Sequence, residues 1–349
     1  MSAEIVLPCG DLDATLAYFV DLGFLLDAIY PAENPSVAVV SGFGVRLRLD
    51  RDRSGSPGVL RLTCHEPTAL SGEDNLVAPN GTVIEIHRPS PELVLPPLTP
   101  SLVITRAEDT AWIHGRAGMR YRDLIPDRQG GRFVASNIRV PDGGEVPDYV
   151  HYHRVHFQII YCAKGWVRVV YEDQGPPFVL QAGDCVVQPP EIRHRVLESS
   201  PGMAVVELGC PALHETLADH SLALPTDRVQ PERRFQDQRF VRHQAATADW
   251  GPWRLPGFEA RDTGIATATN GVGGVRVARV AGGTTAQETT HKGDLLFLYV
   301  LQGTTSLIAE GQEHSLLSAR DAMVLPPNAP FALTRCSRDL ELLEITLPG

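Results

Sequence analysis

The chain has 349 residues, more than one hydrophobic core usually organises, so two or three domains are expected. Its net charge is −11 with the basic residues dispersed, which argues against a surface that tracks nucleic-acid phosphates, and no apolar run approaches the roughly 20 residues that cross a bilayer. The six cysteines show no C-x-x-C spacing and the N-terminus lacks the basic region and cleavage site of a signal peptide, so free thiols in a cytoplasmic protein are expected.

EIVLP reads as a short strand. Asp11 then caps a helix whose Leu12, Leu16, Phe19 and Val20 recur at helical spacing until Gly23 ends it. FLLDAIY, SVAVVSG and VRLRLD follow as strands, then VLRLTCHE and, after a loop, the turn and strand of NGTVIEIHRP. This β-α-β-β-β order, with LPCGDLDATLAYFVDLGF and PNGTVIEI, resembles the glyoxalase/bleomycin-resistance (vicinal oxygen chelate) superfamily over residues 1–90. Such domains pair two full modules, and the second here lacks its helix. The resemblance implies a metal-binding role for Glu85, with His65 as a partner. Leu7 stands where a first-strand ligand belongs, so no working metal site is expected in this α+β module.

RPSPELVLPPLTPS (88–101) is proline-rich and extended, so residues 91–117 read as a linker. From about residue 118 helical periodicity nearly vanishes and an internal repeat begins. Residues 180–211 align without gaps on the segment from Leu316 or Leu317 onward: Asp184 meets Asp321, Pro189 and Pro190 meet Pro326 and Pro327, and Glu207 meets Glu344. FQIIYCAKG (157–165) matches LLFLYVLQG (295–303), and His153 falls on His291. Two copies of one β-domain are expected, at 118–212 and 263–349. A polar connecting segment at 213–262 would pack onto them through Trp250 and Trp253.

HYHRVHFQ (151–158) puts three histidines into eight residues of the first copy. Gly144 precedes His151-x-His153, Gln158 follows, then Gly165; farther on, Gly183 is followed by Pro189 and His194. These motifs resemble the cupin superfamily. The resemblance implies a mainly β chain of two jelly-roll barrels, a bicupin, behind the N-terminal module. Independently of the family, His151 and His153 alternate on a strand and so share a face. A reversal brings Gln158 alongside and His194 arrives from a distant strand. Three imidazoles and an amide oxygen suit one divalent transition metal per chain, iron(II) favoured, with zinc, nickel or manganese as alternatives. Imidazoles must be neutral to ligate, so metal loss is expected below about pH 6. His156 reads as an acid/base or solvent-facing group, or as a ligand in place of Gln158. The second copy keeps only His291, because Thr289, Leu296 and Phe331 replace the other positions. It is expected to be structural, with Asp294 and Glu344 as hydrogen-bonded strand-end residues.

Cupins with this motif usually carry glutamate where Gln158 stands. The neutral donor set leaves the full charge of the ion uncompensated and favours a small anionic or chelating substrate: a carboxylate, enolate or phenolate. The expected activity is a non-haem iron dioxygenase acting through the metal with His156 and Gln158. The alternatives are a Lewis-acid cyclase, isomerase or lyase, or a non-catalytic small-molecule-binding bicupin. A homo-oligomer is expected, and neither nucleic acid nor membrane is expected as a partner.

Overall fold

The computed structural model describes residues 2–64, 75–87, 92–283, 286–310 and 312–348, in two units, Met1–Glu92 and Leu93–Gly349. In the first unit Asp11 caps the helix Leu12–Asp21 by accepting from the Ala14 amide at 3.0 Å. Leu12, Thr15 and Phe19 form its buried face, while Val20, expected on that face, is exposed. Ile5–Pro8 runs parallel to Val45–Asp50 in a four-stranded sheet that ends in Val37–Gly42 and Leu25–Tyr30. Val59–Thr63, Val83–His87 and Asn75–Val77 make a three-stranded sheet. The expected β-α-β-β-β order is therefore present.

In the second unit, strand alternation separates two kinds of core. Phe157, Ile159 and Tyr161 share a cluster with Leu295, Phe297 and Tyr299 of the matching strand. Their neighbours Ile160 and Cys162 face the interior of the first barrel, and Leu296, Leu298 and Val300 that of the second. The two large sheets thus pack face to face through one apolar layer, which explains strands buried on both sides. Gly165 and Gly303, matched in the repeat, turn these strands at φ 71° and 75°, where a side chain would collide with Ser200 and Ser337.

The first large sheet runs Val241–His243, Cys185–Val187, Phe157–Lys164, Met203–Cys210, Val134–Val140, Arg120–Asp123, Ile113–His114. The second runs Val103–Thr105, Ala322–Leu325, Leu295–Gln302, Glu341–Leu347, Gly274–Val280, Phe258–Asp262, Gly251–Pro252. Two expectations are corrected here. The stretch 91–117 is not a linker, because Val103–Thr105 is the edge strand of the second barrel. The stretch 213–262 does more than connect: Val241–His243 is the edge strand of the first barrel, and Thr216–Ala218 pairs with His151–His153. Each barrel thus borrows its edge from the chain segment leading into the other. Two aspartates fasten the exchange. Asp184 accepts from the Gln181 and Ala245 amides, and Asp321 from those of Ser318 and Ala107, all at 2.7–3.0 Å. Trp250 packs as expected, with Arg279 3.8 Å from its ring centre, and Trp253 lies against Phe258.

Candidate metal centre

His151 and His153 are buried while Tyr152 between them is half-buried, as alternation requires. His194 is the direct cross-strand partner of His151, in a sheet where Tyr171 pairs with His194 and stacks on its ring at 5.4 Å. The three histidines place ligand nitrogens within 4.8 Å of one another. Each is held from behind. His151 Nδ1 donates to Tyr149 O at 2.8 Å and His194 Nδ1 to Ile192 O at 3.0 Å, while His153 Nδ1 lies 2.9 Å from Thr216 Oγ1. The two carbonyl partners fix His151 and His194 as Nδ1–H tautomers, whose Nε2 atoms are acceptors. Burial pushes all three pKa values down, His153 to about 2, so the imidazoles stay neutral. The donor set therefore fits a divalent transition metal.

Gln158 is buried on the inner side of its strand, and its Nε2 donates to Glu207 Oε1 at 2.5 Å. That bond turns Oε1 away from Glu207. No described donor bonds Oε1, so it keeps its acceptor capacity. His156 is not brought into the cluster. It is half-buried, its amide donates to Cys210 O at 2.7 Å, and burial followed by the Arg132 charge lowers its pKa. Its expected acid/base role is not supported by this placement.

Sequence reasoning missed several residues here, Arg116 and Glu207 foremost. Arg116 donates to Asp148 at 2.6 Å and reaches His151 Nε2 at 2.7 Å. Glu207 is buried and its pKa is raised by desolvation, against the Gln158 hydrogen bond. Arg116, Tyr121, His153, Glu207, His214 and Thr216 line a cavity of about 500 Å³. A carboxylate inside the apolar run MAVVELGC was a readable signal; Arg116, in a stretch of linker composition, had none. In the N-terminal unit Glu85 is committed to Arg61 at 2.7 Å, Leu7 is buried, and His65 lies outside the described residues.

Residues 137–207 match the family described as Cupin domain. No curated protein matches the chain. Among solved structures, salicylate 1,2-dioxygenase from Pseudaminobacter salicylatoxidans is similar at TM-score 0.52 and 13% identity, covering 73% of this chain and 86% of that one. Oxalate decarboxylase from Bacillus subtilis matches at 0.52 and 14%, over 74% and 78%. Protein Ylba from E. coli matches at 0.50 and 10%, over 74% and 94%. The chain thus contains a cupin domain and has a bicupin-like fold; at these identities the structural likeness shows fold alone.

Proposed function

We propose that the first barrel is the catalytic centre of a metal-dependent enzyme acting on a small anionic or chelating substrate, and that it is an iron(II) dioxygenase. The observation that carries this reading is three buried imidazoles with ligand nitrogens within 4.8 Å of one another, of which His153 shares the wall of a cavity with Arg116 and the buried Glu207. Bound there, iron(II) supplies redox chemistry toward dioxygen and a positive charge for a carboxylate or phenolate. The chain supplies the rest. His151, His153 and His194 hold the ion, with Gln158 Oε1 as the neutral fourth donor. Arg116 meets the substrate anion, and turns toward it from His151. Glu207, whose pKa burial raises, is the carboxyl beside the substrate that exchanges a proton with it.

The absence of a carboxylate from the three-histidine group also favours a second reading, a Lewis-acid cyclase, isomerase or lyase using zinc, nickel or manganese. A purely ligand-binding bicupin is the third. In this proposal the protein is cytoplasmic, and the N-terminal unit, a shortened glyoxalase-like module, mediates self-association. Its edge strand Leu25–Tyr30 exposes Leu25, Leu26, Ile29 and Tyr30, which supports that role.

The test is elemental analysis of protein purified without chelators, followed by oxygen-electrode assays of the iron-loaded chain with salicylate, gentisate and oxalate. About one metal per chain and substrate-dependent oxygen uptake are expected. Turnover under nitrogen would replace the oxygenase with the Lewis-acid reading. Stoichiometry unchanged in the His151→Ala, His194→Ala double variant would move the metal elsewhere.

A further inference from the structure

The second barrel has lost the histidine motif, yet its mouth is open. A cavity of about 340 Å³ there has Arg254, Asp262, Arg276, His291, Glu344 and Thr346 in its wall. Three of these repeat the first barrel. His291 aligns with His153 and Glu344 with Glu207. Arg254 follows the strand Gly251–Pro252 by two residues, as Arg116 follows Ile113–His114, and those strands end the two large sheets. Both barrels keep an Arg–Glu–His set; only the first adds the metal-holding histidines.

The expectation that Glu344 is a hydrogen-bonded strand-end residue does not fit its surroundings, since it lies in the middle of Glu341–Leu347. Glu344 is 2% exposed, and its Oε2 lies 2.8 Å from Arg254 Nε. Neither atom has a hydrogen bond of good direction, so the pair is a charge contact with bonding capacity left over. His291 is 9% exposed and donates Nε2–H to Leu325 O at 2.7 Å. Its Nδ1 is therefore a lone pair, and among the described residues no donor reaches it. Burial depresses the pKa of this imidazole, which keeps it neutral. Orphaned acceptors in a buried wall call for a donor from water or a ligand.

The charges limit which ligand. Arg254 is set against Glu344, and Arg276 against Asp262 at 3.1 Å, so the wall carries no net charge to attract an ion. The ligand must donate to His291 Nδ1 and Glu344 Oε2 and accept from Arg254. Neighbouring hydroxyl groups do both. We propose that the second barrel binds, without metal, a small neutral polyhydroxylated molecule of sugar or sugar-alcohol size against His291, Glu344 and Arg254.

The experiment is calorimetric titration of the full chain with ribitol, myo-inositol and, as an anionic control, citrate. Saturable binding of at least one polyol and none of citrate is expected. Glu344→Gln and His291→Leu should weaken it at least tenfold. Ala266→Leu, which narrows the cavity and removes no polar atom, should do the same and serves if the other variants fold poorly. His151→Ala in the first barrel should leave it unchanged. Absence of saturable polyol binding, preference for citrate, or polyol binding that survives Ala266→Leu would each overturn the proposal.

Discussion

The three clustered histidines are neutral in the folded chain, whereas the same residues in the unfolded chain titrate near pH ~6.5. Burial lowers their folded pKa values, His153 to about 2. Below pH ~6.5 the unfolded chain binds protons that the folded chain refuses, so stability falls with pH. The slope is up to about 1.4 kcal/mol per pH unit for each histidine, and it vanishes above that pH. Metal-stripped protein should therefore lose melting temperature steadily from about pH 6.5 to roughly pH 5, and His194→Leu should flatten the slope. A level profile in the parent would contradict neutral burial. With the same shift, a metal-loaded site should hold its ion below the pH 6 expected of ordinary histidines. Gln158 offers a second test. Gln158→Glu places a carboxylate where an amide now donates to Glu207 at 2.5 Å. Two unit charges ~4 Å apart interact by roughly 4 kcal/mol even at a dielectric of about 20, so the new site should hold extra negative charge or an extra proton. Azide, titrated spectroscopically into the iron-loaded variant, should bind at least tenfold more weakly; equal or tighter binding would remove Gln158 from the metal's surroundings. Gln158→Ala should hold metal more weakly than either.

The elements differ in how far a sequence announces them. H-x-H on a strand needs only period-two alternation to put two imidazoles on one face, so His151 and His153 were legible. His194 became legible through its turn residues. The edge strand Val103–Thr105 was not: its partner Ala322–Leu325 lies more than 200 residues away, and its proline-rich approach has the composition of a spacer. Arg116 was hidden for the same reason, since its neighbours give it no period. Glu344 was visible, but its place in the middle of Glu341–Leu347 and its contact with Arg254 were not. The borrowed strand predicts a sharp truncation boundary. A chain starting at Leu93 should fold and retain metal, whereas one starting at Ala107 should expose the Ala322–Leu325 edge and aggregate. Asp321→Ala, which orphans the Ser318 and Ala107 amides, should cost about 1–3 kcal/mol in denaturant unfolding. Retention of parental stability by both variants would show that the exchanged strand is dispensable.

For the second unit as a whole, the layer shared by Phe157, Phe297, Tyr161 and Tyr299 packs the two barrels against each other. The exchange of edges adds a consequence for chain continuity. A break at Leu222, in a stretch that alternates exposed and half-buried residues, separates two fragments, residues 93–222 and 223–349. The first carries the strand that completes the second barrel, and the second carries the strand that completes the first. Neither fragment can satisfy its own sheet edge, yet together they hold every strand of both. Co-expressed as separate polypeptides, they should therefore assemble into a nicked protein that co-purifies and holds metal, while each alone is insoluble. The covalent link between the barrels is then replaceable, and their interlocked edges are what make two repeats one protein.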